Sequence, residues 1–331
     1  MRIFKPNRVT RADPGIWFRV AILLRPIAFT MVLCLAAGIV TAEEAESRAR
    51  WTTLAQLNTP HEVCVATESG GKLYALGGLG AALEEFDPRL GLWKVLTTPR
   101  TEREFFGLAA LHRGLFIIGG WSRTNDWLSA VEVYDLEKKV WRHVAPTLTP
   151  RNRLAAVAVG EKIYAIGGMV SGHQNTGAVE EYDPRTDTWR ARAAMPTPRH
   201  GHALVVVGDK ILAIGGYAIG QPLGSVEEYD PASDRWTRKS DLPTARGFFG
   251  AAALGGHVYV LAGRTRDIPP VERYDPGSDR WDRFDSMAGR RNRFGCVGFA
   301  DCIFMIGGEQ DWESEKDWRR ETTGYRPRAE R

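Results

Sequence analysis

Residues 162–189 read KIYAIGGMVSGHQNTGAVEEYDPRTDTW, and most of the chain can be laid out by sliding this stretch along it. An apolar run ends in the doublet Gly167-Gly168, a second alternating run ends in Tyr182-Asp183, and Trp189 follows seven residues after the tyrosine. Alternation over a few residues, bounded by Gly, Asp and Pro, is a strand pattern. The doublet recurs at Gly78, Gly120, Gly216 and Gly308, and once with alanine in first place, as Ala262-Gly263. The aromatic-Asp pair with its tryptophan seven residues on recurs as Phe86 and Trp93, Tyr134 and Trp141, Tyr229 and Trp236, and Tyr274 and Trp281. Ten residues after each tryptophan stands an arginine: Arg103, Arg151, Arg199, Arg246 and Arg291. Sixteen residues further comes the next doublet, so only the stretch from doublet to aromatic varies, at 9, 15, 15, 14 and 12 residues.

A period near 47 residues that holds four short strands describes one blade of a radial all-β array. The Gly-Gly doublet, the Tyr-Asp pair and the spaced tryptophan together resemble the Kelch family over about Trp51–Pro327. The resemblance implies a six-bladed Kelch-type β-propeller. The last copy has Gly307-Gly308 and Tyr325-Arg326-Pro327 but no tryptophan at the expected distance. Trp51 lies ten residues before His61, and His61 sixteen before Gly77. The strand around Trp51–Leu57 is therefore expected to complete the blade begun at Arg291, closing the ring and removing an open edge.

The first 42 residues stand apart. They carry Arg2, Lys5, Arg8, Arg11, Arg19 and Arg25, one acid (Asp13), an apolar run over Ile27–Val40 and the small residues Thr41-Ala42. This is the pattern of a signal peptide, or of a signal anchor if uncleaved. The domain order expected is a leader at 1–42, a linker at 43–50, the propeller at 51–327 and a tail at 328–331. Both readings export the propeller, as a periplasmic or secreted protein or one anchored in a membrane through the uncleaved segment. Without the leader, Lys plus Arg falls from 44 to 38 and Asp plus Glu from 40 to 39, taking net charge from +4 to −1. The basicity belongs to the leader, so nucleic acid is not expected as a partner. Cys64, Cys296 and Cys302 remain, too few and too scattered for a disulfide framework or a zinc site.

In an up-and-down blade the loops before strand one and between strands two and three share a face. The arginines and all the length variation fall on that face, and variable loops on a rigid scaffold are where binding resides. A ring of His61, Arg103, Arg151, Arg199, Arg246 and Arg291 is expected there, with Arg153 and Arg293 two residues further on. In Kelch domains that bind acidic peptides, arginines at this repeat position contact carboxylates, and the resemblance carries that expectation to these residues. Guanidinium forks suit such groups. The competing reading is that each arginine bonds carbonyls of a neighbouring blade and holds the ring together. Four tryptophans fall outside both repeat and leader: Trp121, Trp127, Trp312 and Trp318, all in the variable loops of the second and sixth blades. They are expected to wall a notch above the first blade, as exposed aromatic anchors do.

The function expected is a binding module for a protein or glycan ligand, acidic ones included, in a monomer without metal or cofactor. The enzymatic alternative is a sugar mutarotase or epimerase of the sialic acid type. Exported six-bladed Kelch propellers include such enzymes, and Glu62 or Glu104, each beside a ring position, would supply the acid/base. The pair His200 and His202 has strand spacing but no third ligand near it in sequence, so a metal is not expected.

Overall fold

A computed structural model of the chain describes residues 50–327, apart from 62, 79, 125, 266, 288 and 311–319, with the backbone alone at Asp126. The leader at 1–42, all but the last residue of the linker at 43–50 and the tail at 328–331 lie outside the described residues. Six four-stranded sheets follow one another, each an antiparallel meander, with three two-stranded ladders besides. We number the blades by their innermost strands: Val65–Ser69 in blade I, Gly107–Leu111 in II, Ala155–Val159 in III, Ala203–Val207 in IV, Gly250–Leu254 in V and Gly295–Phe299 in VI. Each innermost strand touches the next, and that of blade VI touches that of blade I, so the sheets stand in a ring. The strand Trp51–Gln56 pairs with Glu321–Tyr325 as the outermost strand of blade VI, where the spacing of Trp51 places it.

There is no single core. Six apolar clusters each straddle one gap between blades; Phe116, Val133 and Val144 of blade II, for instance, pack on Ile163, Ala165 and Trp189 of blade III. Alternate residues of a strand point to opposite faces, so each blade feeds two of these clusters. The aromatic and the tryptophan of each repeat sit directly across from one another, as Tyr182 does from Trp189. Their ring centroids are 5.0, 5.0, 5.1, 5.0 and 4.9 Å apart in blades I to V, and 4.4 Å for Tyr325 and Trp51 in blade VI. Such pairs contribute ~1 kcal/mol beyond their burial. The Asp after the aromatic closes the next turn by accepting a backbone N–H two residues on, at 2.9 Å for Asp183 and Arg185.

The doublet is explained by how closely blades approach. Gly167 and Gly168 have φ of +66° and +101°, and a Cβ on them would lie 2.8 Å from the Arg199 carbonyl oxygen and 2.5 Å from that of Asn152. The N–H of Gly168 donates to the Arg199 carbonyl at 2.8 Å, tying blade III to blade IV. Equivalent bonds run from Gly120 to Arg151, Gly216 to Arg246, Gly263 to Arg291 and Gly308 to His61.

The ring arginines do not line the mouth. Arg151, Arg199, Arg246 and His61 are wholly buried, and Arg103 and Arg291 nearly so. Each reaches into its own blade. Arg199 donates to the carbonyls of Gly215 (2.9 Å) and Ser225 (2.7 Å) and pairs with Glu227 at 2.8 Å. The glutamate two places before the repeat aromatic likewise pairs Arg103 with Glu132, Arg151 with Glu180 and Arg246 with Glu272, and His61 lies 3.3 Å from Glu84; in blade VI that position is Thr323, and Arg291 meets its hydroxyl at 3.2 Å and Glu321 at 3.4 Å. The glutamates in turn hold the chain entering the blade, as Glu84 accepts the N–H groups of Asn58 and Thr59. Burial works to raise Glu84's pKa, but hydrogen bonds from His61, Thr59 and Asn58 outweigh it and hold the carboxyl at about 2. This corrects the expectation of a ligand-facing arginine ring: the bonds are structural, and the carbonyls belong to the arginine's own blade rather than to a neighbour.

Candidate functional site

The residues two places beyond the ring positions form the mouth. They are Val63, Phe105, Arg153, Gly201, Phe248 and Arg293, and all six have left-handed φ between 51° and 59°. For residues other than glycine this conformation costs of order 1 kcal/mol and persists only where the surroundings impose it. Here they are imposed by bonds between blades: Arg153 N–H donates to the Phe105 carbonyl (2.6 Å), Gly201 to Arg153 (3.2 Å), Phe248 to Gly201 (2.8 Å) and Arg293 to Phe248 (3.0 Å). The belt turns four large side chains toward the axis. The Arg153 guanidinium lies 4.6 Å from the Phe105 ring and 5.9 Å from Phe248, and that of Arg293 lies 5.5 and 5.3 Å from the same two rings. Blades II and V oppose each other, as do III and VI, so the four converge over the channel.

The two arginines are satisfied unequally. Arg293 donates to Glu309 at 2.9 Å. Arg153 has a thioether contact with Met169 at 3.6 Å, and its buried Nε has no partner. Burial, then the charge of Arg293, lowers the pKa of Arg153; Glu104 works against this.

Beside Arg153, between blades II and III, opens a cleft of about 250 Å³ lined by Glu104, Phe105, Trp121, Trp127, Asn152, Arg153, Met169 and His173. Trp121 and Trp127 face one another across a two-residue ladder, and Trp121 is bridged through its backbone to Glu104. Trp127 meets the His173 ring edge-on at 5.3 Å. The Trp127 Nε1 and the Asn152 Oδ1 are buried without partners, like the Arg153 Nε. Buried polar atoms are nearly always bonded, and three orphans on the residues of one cleft make it the candidate site.

Four of the expected residues thus come together: Glu104, Trp121, Trp127 and Arg153. They do so between blades II and III, not in a notch above blade I, because the ladder and the bridge to Glu104 stand the two indoles beside His173 of blade III. Arg293 lies across the mouth. Glu62, Trp312 and Trp318 lie outside the described residues. Phe105, Phe248, Asn152 and His173 were not expected; the only signal for the first two is their place two residues after a ring arginine.

His200 and His202 have different surroundings. His200 stacks on Tyr217 at the mouth, 2.7 Å from the Asn175 Oδ1, and burial followed by the Arg153 charge lowers its pKa to about 4. His202 is buried and lowered to about 3, first by desolvation and then by Arg199. Among the described residues no group of three His, Cys, Asp or Glu could hold a metal, and Cys64, Cys296 and Cys302 are free thiols. His202 carries a pH prediction. Unfolded, it binds a proton below about 6.5; folded, only below about 3. Between those values the unfolded state holds the extra proton, so stability is full above 6.5 and falls as pH drops. Urea melts from pH 7 to 4 should show that slope, to which His200 adds its own share, and His202→Gln should reduce it by about half; an equal slope in both would remove His202 as a source.

The repeat pattern is matched by known families. The Kelch motif matches residues 102–147, and the KLHDC2/KLHL20/DRC7 Kelch-repeats domain matches residues 146–308. With six blades in a ring, the chain belongs to the Kelch-repeat β-propellers. It is also similar to the solved structure of YjhT, with a TM-score of 0.71 over 81% of this chain and 95% of that one, at 16% identity, which speaks for the fold alone. The comparison with curated proteins finds no match. Among the described residues no helix is long and apolar enough to cross a membrane.

Proposed function

We propose that this propeller is an exported binding module that takes a carboxylate-bearing protein or glycan ligand at the mouth formed by Arg153, Arg293 and the cleft of Trp121 and Trp127. The observation that carries the reading is the half-buried Arg153 fork, which has one sulfur contact and a buried, unpartnered Nε beside two aromatic walls. A guanidinium so placed gains charge-assisted bonds from a carboxylate, while the indoles supply contact area for a sugar face or an apolar side chain. Calorimetric titration with N-acetylneuraminic acid and with a glutamate-rich decapeptide should show binding by at least one. Arg153→Gln should weaken it at least tenfold with little change in melting temperature. Equal affinity for N-acetylmannosamine or the glutamine version of the peptide, or no effect of Arg153→Gln, would overturn the reading.

A second reading is favoured by Glu104, a carboxylate in the same cleft whose charge acts on Arg153. An acid/base beside a cation is what opening a sugar ring needs, so the site would then serve a mutarotase of the sialic acid type. NMR exchange between the anomers of N-acetylneuraminic acid decides it: acceleration lost in Glu104→Gln supports the enzyme, and an unchanged rate supports binding alone.

A further inference from the structure

A larger cleft lies elsewhere, at about 840 Å³ between blades I and II on the side of the hairpin loops Ser69–Gly70 and His112–Arg113. One turn position sets this gap apart from three of its sisters. In blades III, IV and V the residue five places after the repeat tyrosine is an aspartate: Asp187, Asp234 and Asp279. Each accepts the tyrosine hydroxyl of its own blade, at 2.7, 2.6 and 2.6 Å, and a backbone N–H from the outermost strand of the blade before, at Ala145 (2.9 Å), Ala193 (2.8 Å) and Ser240 (3.0 Å). A carboxylate thus latches each of those gaps. In blade II the same left-handed turn position, φ 57°, is Lys139.

The consequences are visible in the cleft wall. Tyr134 is 3% exposed, yet it lines the cleft and its hydroxyl makes no hydrogen bond among the described residues. Trp141 of the same blade has its Nε1 buried and unpartnered, whereas Trp189, Trp236 and Trp281 donate to Ala145, Ala193 and Ser240 of the preceding strand. Lys94 and Lys139 line the opening and are without an ion pair among the described residues. The one carboxylate of blade I on this wall, Glu85, is already engaged by Lys72 at 2.6 Å and by the Tyr74 hydroxyl at 3.0 Å. Glu137 of blade II also lines the cleft and pairs with Arg113 at 3.4 Å, so with Lys72, Lys94, Arg113 and Lys139 against Glu85 and Glu137 the wall keeps an excess of positive charge where three sister gaps hold a carboxylate. Leu90 and Leu92 stand exposed at the start of the adjoining outermost strand of blade I, an apolar edge that invites a partner.

We propose that the blade I–II cleft is a second binding site, for an extended acidic peptide of a partner protein, one of whose carboxylates takes the place that Asp187, Asp234 and Asp279 hold in the other gaps. The peptide carboxylate accepts from the Tyr134 hydroxyl and pairs with Lys139, and further acids meet Lys94. This site is independent of the mouth, which lies on the other loop face.

The test supplies the carboxylate in cis. Lys139→Asp should close the gap as its sisters are closed, raising the melting temperature by a few degrees. Fluorescence polarisation with a labelled decapeptide of Glu and Leu should show saturable binding to the natural chain and to Arg153→Gln, which separates this site from the mouth. In the Arg153→Gln background Lys139→Asp should weaken that binding at least tenfold, and Tyr134→Phe severalfold without loss of stability, since its hydroxyl has no hydrogen bond among the described residues. The proposal fails if Arg153→Gln does not bind the peptide at 1 mM peptide, whether or not the natural chain does. It fails equally if Lys139→Asp leaves affinity or melting temperature unchanged.

Discussion

Glu272→Ala will lower the unfolding free energy by about 3–5 kcal/mol, because it strands a guanidinium in the interior. Arg246 and Glu272 are both wholly buried. Arg246 also donates to the carbonyls of Ala262 (3.0 Å), Pro270 (3.3 Å) and Thr244 (3.1 Å), so it cannot swing out to water without orphaning three acceptors. Burial already pulls its pKa down to about 10 with the carboxylate present, which shows how strongly the site resists an unpaired charge. The Thr244 hydroxyl loses its acceptor as well, 2.7 Å away. For a domain of this size the change corresponds to a fall in melting temperature of roughly 6–20 °C. The double variant Arg246→Met with Glu272→Ala should recover little, since the carbonyls still lose their donor. A denaturant melt of Glu272→Ala within 1 kcal/mol of the natural protein would mean that the pair is not what anchors the blade.

Removing the residues before Leu57 will be worse still. Trp51–Gln56 is the outermost strand of blade VI, and its loss leaves Tyr325, now fully buried, without the indole 4.4 Å from it. The strand Glu321–Tyr325 would become an open edge, and the blade would lose one of its three ladders. The truncated chain should show no cooperative melt and should aggregate. A circular permutant tests whether sequence order matters: beginning at Leu57 and running from Tyr325 through a copy of the turn Asp275–Arg280 into Trp51–Gln56, it should fold and melt as the natural chain does. The geometry allows it, because Trp51 pairs with Tyr325 as Trp281 pairs with Tyr274. Should the truncation melt cooperatively near the natural temperature, closure by this strand is not needed for stability.

Much of this architecture was legible because it depends on residue types that leave few choices. The Gly-Gly doublet, the Tyr-Asp turn and the seven-residue step to tryptophan each answer one local demand, and their repetition located every four-stranded sheet, including the one built from both ends. The ring arginines were legible as positions but ambiguous as roles, since a guanidinium bonds a buried carbonyl as readily as a ligand; the glutamate one residue into the third strand of blades I to V was the missing half of the pattern. The mouth was harder. Phe105, Arg153, Phe248 and Arg293 turn inward because neighbouring blades hold them at positive φ, and nothing about those residue types announces that conformation. The latch, by contrast, was in plain sight: the Asp of YDPRTDTW, YDPASDRW and YDPGSDRW is Lys in YDLEKKVW. Its meaning required seeing what Asp187 touches.

The way Trp51–Gln56 finds its partner also sets a timetable. The first strand of the propeller to leave the ribosome has no ladder until Glu321 arrives, some 265 residues later. At ~5–20 residues per second that wait lasts about 13–50 s. Blades I to V can assemble meanwhile as an arc whose two ends each await a neighbour. Ribosome-bound chains arrested before Glu321 should therefore resist proteolysis in their middle blades while remaining cleavable near Trp51, and protection near Trp51 should appear only once Tyr325 has emerged.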